Sequence, residues 1–398
     1  MRRPNVIRDP RDPDPRHRIK MLYTDVIGDW PRTGYRELAG IAKATSPDGI
    51  HWRHNVDGRP WRPGGNGTNV LGWDPAAGEY VVYIRMYPPG ASPDESQISI
   101  FRSTSDDFLR WSKPELVLAP EREGLDFKGF AALIYEHYYV AWLWVWKGRE
   151  THFELAASRD GLEWQQIFPV TVAFPLGAPG TWDSAMVSLN TPIVRDGLIW
   201  IYYGAWNHPY RREATERVQQ GWIEAGNRMQ RAIGLATLRL DGFLSLSATG
   251  SPGRVTTKTF RLPGGSLFVN ADVRGELRAG FLDSEGRVPA GYSAEDCVPI
   301  RTDGIRQMIR WDRSFQLDSL QGRAVRLRFH MREADLYVFW FQPHAGMGRR
   351  HSCRRLERLE WAHLNRQESI FKNTKCDCYR NVYDIGNRVS YNKLRKNK

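Results

Sequence analysis

The chain has 398 residues, 41% of them hydrophobic, enough for two or more domains or for one large β domain with an appendage. Its formal net charge is +12, but the stretch from Ala345 to Lys398 holds 14 Lys and Arg against 5 Asp and Glu. The body is therefore near neutral, which excludes a nucleic-acid-binding surface spread over the fold. No apolar run is long enough to span a membrane as a helix.

Met1 to Asn5 is basic with no apolar segment behind it, so no secretory signal is expected. As written, the chain is predicted to be cytoplasmic; a start further upstream would allow a secreted or periplasmic protein. Residues 1–20 are crowded with Arg, Asp and Pro, and prolines 10, 13 and 15 preclude a regular helix or central strand there. Ile19–Thr24 and Leu38–Ala44 then read as strands. A second unit holds Thr68–Leu71, a turn at Asp74–Gly78, Tyr80–Arg85 and Ile98–Arg102. A third holds Phe130–Tyr135, Tyr138–Trp146 and Phe153–Ala157. A fourth holds Ala185–Ser188, Leu198–Tyr203 and Arg231–Leu238, with a polar insertion from Asn207 to Gln230.

Each unit ends in a related phrase. Ala44-Thr-Ser-Pro-Asp-Gly-Ile-His-Trp52 is repeated as Ala156-Ala-Ser-Arg-Asp-Gly-Leu-Glu-Trp164. Looser copies run from Arg102 to Trp111 and from Ala236 to Phe243. The turn aspartates Asp48, Asp107, Asp160 and Asp241 lie 59, 53 and 81 residues apart. Asp-Gly suits a tight reversal, the preceding Ser or Thr can bond the same backbone, and the Trp supplies a flat surface to pack between sheets. A strand-based repeat of this length predicts the blades of a β-propeller.

After Asp241 the pattern changes. Val255–Phe260, Ser266–Asn270, Glu276–Leu282, Val325–Phe329 and Leu336–Phe341 alternate between Gly and Asp turns, which predicts a β-sandwich. The expected organisation is all-β: a propeller over 1–245, a sandwich over 250–342 and a basic, poorly ordered tail over 343–398. Three of the four cysteines fall in the tail. His351, Cys353, Cys376 and Cys378 fit no standard zinc spacing, so neither a metal nor another cofactor is expected.

Together, Asp9–Pro15, Arg18–Leu22, Ser46–Trp52, Ser105–Trp111, Ser158–Gly161, Gly180–Ser184 and Ala232–Phe243 resemble a bacterial glycoside-hydrolase-like family of five-bladed propellers. The resemblance covers about residues 5–341. Thr181–Met186, Thr191–Val194 and Trp200–Gly204 look like the last blade of mannoside phosphorylases, and Arg8-Asp9-Pro10 is similar to the Arg-Asp-Pro of invertase-type enzymes. Four blades are legible where the family has five, so the first blade and its catalytic Asp are missing from the pattern. The resemblance implies a carbohydrate substrate or ligand, with neither nucleic acid nor membrane as a partner.

Cleaving a glycosidic bond takes two carboxyl groups across it. A propeller supplies them at the starts of its innermost strands, which excludes the turn aspartates. Asp183 is the first candidate, because it follows a Trp and opens an inner strand; capping of local backbone is the competing assignment. The resemblance offers Asp9 as a transition-state stabiliser, against a turn aspartate. Glu154 takes the strand face opposite Leu155 and is a candidate acid. For substrate binding the candidates are Asn69, Arg85 with its planar fork, His208 at the mouth of a loop, and Trp182 and Trp206 as stacking platforms. Burial between blades is the alternative for the two tryptophans.

Overall fold

The structure is a computed structural model. It describes residues 2–26, 39–54, 67–91, 96–136, 138–147, 150–167, 172–208, 228–311, 317–342, 389–390 and 395–397. Most of the polar insertion and nearly all of the tail lie outside these residues, and with them His351, Cys353, Cys376 and Cys378. The only helices among the described residues are two 3₁₀ turns, Pro15–His17 and Leu317–Leu320. The chain divides into two compact units. The first holds Met1–Ile193, Trp200–Thr237 and Leu394–Lys398; the second holds Val194–Ile199 and Leu238–Lys393.

Among the described residues, the first unit contains four sheets. Three are antiparallel meanders in chain order. One comprises β1 (Arg2–Arg8), β2 (Ile19–Val26), β3 (Ala39–Ser46) and β4 (Arg53–His54). The next comprises β5 (Gly67–Asp74), β6 (Glu79–Met86), β7 (Ser99–Ser105) and β8 (Glu115–Leu118). The third comprises β9 (Asp126–Tyr135), β10 (Tyr138–Lys147), β11 (Glu150–Ser158) and β12 (Gln165–Ile167). β1 packs beside β5 and β5 beside β9, so the first strand of each sheet is the innermost. The fourth sheet runs β13 (Met186–Leu189), β15 (Leu198–Trp206), β16 (Arg231–Arg239), with β14 (Ile193–Arg195) also paired to β15. Its outermost place is filled by β24 (Arg395–Asn397), from the end of the chain. This unit is a β-propeller, with four blades among the described residues.

Packing explains why the strand sequences read as they do. β6 buries five successive residues, Tyr80 to Ile84, because a blade is covered on both faces. Leu22 and Ile41 of the first blade share a core with Val70, Val82, Ile84 and Phe108 of the second. Tyr83 and Ile100 of the second share another with Phe130, Leu143 and Trp164 of the third. β1 is a strand that the sequence does not predict. It is polar, and its register to β2 shifts between Arg2 and Asn5, where Pro4 has no N–H to give.

Three of the four repeated phrases fold into one turn. Ser46, Ser105 and Ser158 each donate a hydroxyl to the turn aspartate, at 3.1, 3.1 and 3.0 Å. The aspartates accept backbone N–H from the residues two and three further on, all at 2.8 to 2.9 Å. The indole N–H of Trp52, Trp111 or Trp164 closes back onto a turn carbonyl at 3.0 to 3.2 Å. The residue after the aspartate has φ of 79°, 64° and 73°, and Gly fills it twice, Phe108 once. The fourth copy is a different turn. There Asp241 itself has φ of 61°, and its carboxylate accepts from Asn270 at 3.0 Å.

The second unit is one seven-stranded sheet built on β20 (Ser266–Leu282) and β22 (Ala324–Gln342). β17 (Ser245–Ala248), β18 (Gly253–Thr256) and β19 (Phe260–Arg261) pair along β22, β21 (Gly304–Met308) pairs with β20, and β23 (Val389–Ser390) with β17. The four strands predicted over 266–282 and 325–341 are two long ones. Irregularities between Asn270 and Ala271 and between Val273 and Glu276 absorb the polar residues that break the alternation. At the second, a Cβ on Gly275 would lie 2.3 Å from the carbonyl oxygen of Arg332, so the strands cross there only with glycine. Val269, Ala279, Leu327 and Leu336, from both halves of the two strands, feed a single core.

Candidate functional site

In a meander the start of the first strand, the end of the second and the start of the third share one end of a blade, here called the upper end. The Asp turns follow third strands and therefore lie at the lower end. Asp9 also lies there, directly after the last residue of β1. It is buried, accepts a hydrogen bond from the Tyr80 hydroxyl and lies 3.1 Å from Lys20 Nζ. Burial pushes its carboxyl up, but the Tyr80 and Lys20 contacts outweigh that and hold it below the usual carboxylate range. The next blade repeats the contact: the Tyr139 hydroxyl donates to Asp74 at 2.6 Å. Asp9 is thus one of two equivalent clasps between successive blades, at the end opposite the inner-strand starts.

Asp183 lies at the upper end, three residues before β13, and is buried. Thr181 Oγ1 donates to its Oδ1 at 2.8 Å and the Tyr203 hydroxyl to its Oδ2 at 3.4 Å. The Gly177 amide donates to its carbonyl at 3.0 Å. A Cβ on Gly177 would fall 1.8 Å from Oδ1, so glycine is what leaves room for this carboxylate. Burial and then the Asp183 charge push the Tyr203 phenol up to about 12, which keeps it a donor. Trp182 is half-buried and stacks on Tyr203, with centroids 5.6 Å apart and planes 13° apart.

Trp206 and His208 belong to the same blade end. Ala185 N donates to the Trp206 carbonyl at 3.3 Å, and Met186 pairs with Trp206. His208 is buried, its ring 6.4 Å from that of Trp206, and its Nε2 accepts from Arg231 Nε at 3.3 Å. Asn207 pins the returning chain: its side chain donates to the Arg228 carbonyl at 2.9 Å and accepts from Gln230 N at 2.9 Å.

The other predicted residues make different contacts. Glu154 lies mid-strand in β11 and is fully buried. His152 Nε2 is 2.7 Å away, Gln166 Nε2 donates at 2.6 Å, and Arg122 Nη2 is at 3.5 Å. As expected, it takes the face opposite Leu155. That face carries Val145, Leu143 and Ala156 toward the second blade. Asn69 is a knot between blades, donating to Thr191 Oγ1 at 2.6 Å and accepting Ala132 N at 2.9 Å. Arg85 is half-buried at the upper end, opposite the first residue of β5.

One upper-end carboxylate was not among the sequence candidates. Asp126 is the first residue of β9, the inner strand of the third blade. Its Oδ1 accepts Ile98 N at 2.8 Å and its Oδ2 accepts Lys128 Nζ at 2.7 Å. Lys128 is buried and lies 4.2 Å over the Trp146 ring. The rule that selects Asp183, an acid opening an inner strand, also selects Asp126 once β9 is taken to begin at 126 instead of 130.

No protein-family model matches the chain, and no curated protein sequence matches it. Solved structures with similarity to it include a glycosyl hydrolase from Bacteroides ovatus, at 19% identity and TM-score 0.39 over 56% of this chain and 63% of that one. A β-1,2-mannobiose phosphorylase from Listeria innocua has 19% identity and TM-score 0.34 over 59% of this chain and 57% of that one. A β-fructofuranosidase from Bombyx mori has 9% identity and TM-score 0.36 over 84% and 91%. The chain spans less than two thirds of the length of the first two.

Proposed function

We propose that the chain is a glycoside-hydrolase-like protein that engages a carbohydrate at the upper end of its propeller, with Asp183 as the principal carboxylate. One observation carries this reading: a buried carboxylate at the start of an inner strand, held by Thr181 and Tyr203 and flanked by the half-exposed ring of Trp182. An indole face beside a carboxylate suits a sugar ring, which stacks its C–H face on the aromatic while its hydroxyls meet the polar group. Trp206 and His208 extend the same surface. Asp126 is the second carboxylate at a strand start, and hydrolysis would use the pair as proton donor and as base or nucleophile.

The test is release of sugar from aryl glycosides and from plant or algal oligosaccharides, by the full chain and by Asp183→Asn. Turnover lost in the variant supports the reading; equal turnover in both proteins would remove Asp183 from it. Binding without turnover is the second reading. It is favoured by Glu154, Asp9 and Asp126, whose carboxylates are committed to protein partners. Calorimetry that finds sugar binding with no product decides for it. A protein-docking propeller is the remaining alternative and predicts no sugar affinity at all.

A further inference from the structure

One face of the second unit carries a concentration of cations that the proposed sugar site does not use. On β22, Val325, Leu327, Phe329 and Met331 enter the core. Arg328, His330 and Arg332 therefore take the opposite face. On β20, Leu277 and Ala279 are core residues, which turns Glu276 and Arg278 outward; on β18, Val255 is core and Arg254 is outward. The register sets His330 directly between Arg254 on one neighbouring strand and Arg278 on the other. Arg332 is opposite Glu276, which also receives Arg301 at 3.0 Å.

Five arginines and one histidine thus face two carboxylates, Glu276 and the nearby Glu295. Arg278 is fixed by the Cys297 carbonyl at 2.8 Å, and Arg328 by Thr256 Oγ1 at 2.9 Å. Arg254 and Arg332 are exposed, and among the described residues neither has a carboxylate within 4.0 Å, Arg332 meeting Glu276 only at longer range. Like charges directly across strands destabilise a sheet. Burial, with Arg328 and Arg254 beside it, holds His330 below the ordinary histidine range, so at neutral pH the row is relieved by one charge.

We propose that this face binds a linear acidic polysaccharide through its sugar carboxylates. Strands about 4.8 Å apart, with same-face residues about 6.7 Å apart along each, present the guanidinium groups as a grid. A uronic-acid polymer carries one carboxylate per sugar and can meet successive forks bidentately. The choice of a polysaccharide over other polyanions rests on the carbohydrate reading of the propeller; the cation grid does not.

The experiment is calorimetric titration of the full chain with polygalacturonate, neutral dextran and duplex DNA, at low salt and at about 0.15 M. Polygalacturonate should bind in a salt-sensitive manner and dextran should not. Arg254→Ala with Arg332→Ala should weaken binding by about tenfold, since each exposed ion contact is individually modest. Arg254→Lys with Arg332→Lys should lose less than the alanine pair, because the charge stays while the bidentate fork goes, which separates loss of contact from loss of fold. The alanine pair should turn over aryl glycosides as the wild type does, so a failure of this face and a failure of the sugar site give different results. Binding unchanged in the alanine pair would overturn the proposal. So would DNA held as tightly as polygalacturonate and released by the same pair, which would mark a nucleic-acid surface.

Discussion

The two ends of the propeller use the same residue types for different ends. At the lower end, Asp, Tyr and Trp recur: the Asp turns appear three times and the Asp–Tyr clasp twice, with every carboxylate filled by protein donors. At the upper end, an Asp, a Tyr and a Trp meet once among the described residues, at Asp183, Tyr203 and Trp182, and the indole stays half-exposed. Repetition marks a contact that each blade needs in order to pack on the next. A combination found on one blade answers to something other than packing, and that contrast supports placing the sugar at the upper end.

The sharpest way to break the contrast is to exchange roles across it. Asp183→Asn should lower turnover by about a thousandfold, in line with loss of a general acid, base or nucleophile, while the unfolding midpoint in urea moves little. Asp74→Ala and Asp9→Ala should do the reverse. Each strands a buried phenol and should cost about 1–3 kcal/mol by urea denaturation, without altering sugar affinity. If Asp9→Ala abolished turnover at unchanged stability, the lower end would no longer be purely structural.

Smaller effects sharpen the comparison within the lower end. Gly49 and Gly161 occupy the same turn position with the same sign of φ. A Cβ on Gly49 meets only Ile19 Cδ1 at 3.5 Å, whereas on Gly161 it meets the Tyr83 hydroxyl at 2.9 Å. Gly49→Ala should therefore cost about 1 kcal/mol for the left-handed backbone alone, and Gly161→Ala visibly more in the same urea titration. The weakest effect is in pH. Burial raises the Asp107 carboxyl, but the amides of Arg110 and Leu109 outweigh it and bring it down to about 2. Because the folded value lies below the unfolded one of 3.8, this stability is present above pH 4 and is lost as pH falls toward 2. Asp107→Asn should flatten that part of an acid-unfolding curve.

Some of this was legible before any coordinates. The Ser-x-Asp-Gly phrases with their Trp carry their own hydrogen bonds, so each turn forms from residues within seven positions of one another. The position of Asp183 before an inner strand was legible for a related reason: an acid after a Trp at the opening of an apolar strand is a local pattern. The partners of Asp9 were not legible, because Arg-Asp-Pro looks the same whether the aspartate serves a ligand or a neighbouring tyrosine, and Tyr80 lies 71 residues away. Glu154 has the same ambiguity, resolved by Gln166 and Arg122. Asp126 was not among the candidates because Lys128 and Gly129 interrupt the apolar run that begins at Phe130, where the pairing with β10 is irregular.

The sequence by itself determined that the chain would be all-β, repeated in blades, with tight Asp turns, because period, turn chemistry and alternation are short-range properties. Only the tertiary structure decided which end of a blade each acid occupies, that the strands over 266–282 and 324–342 are continuous across their irregularities, and that arginines distant in sequence gather around His330 on one sheet face. Those outcomes depend on pairing between segments tens of residues apart, where hydrogen-bond register and close packing, and not local propensity, select the arrangement.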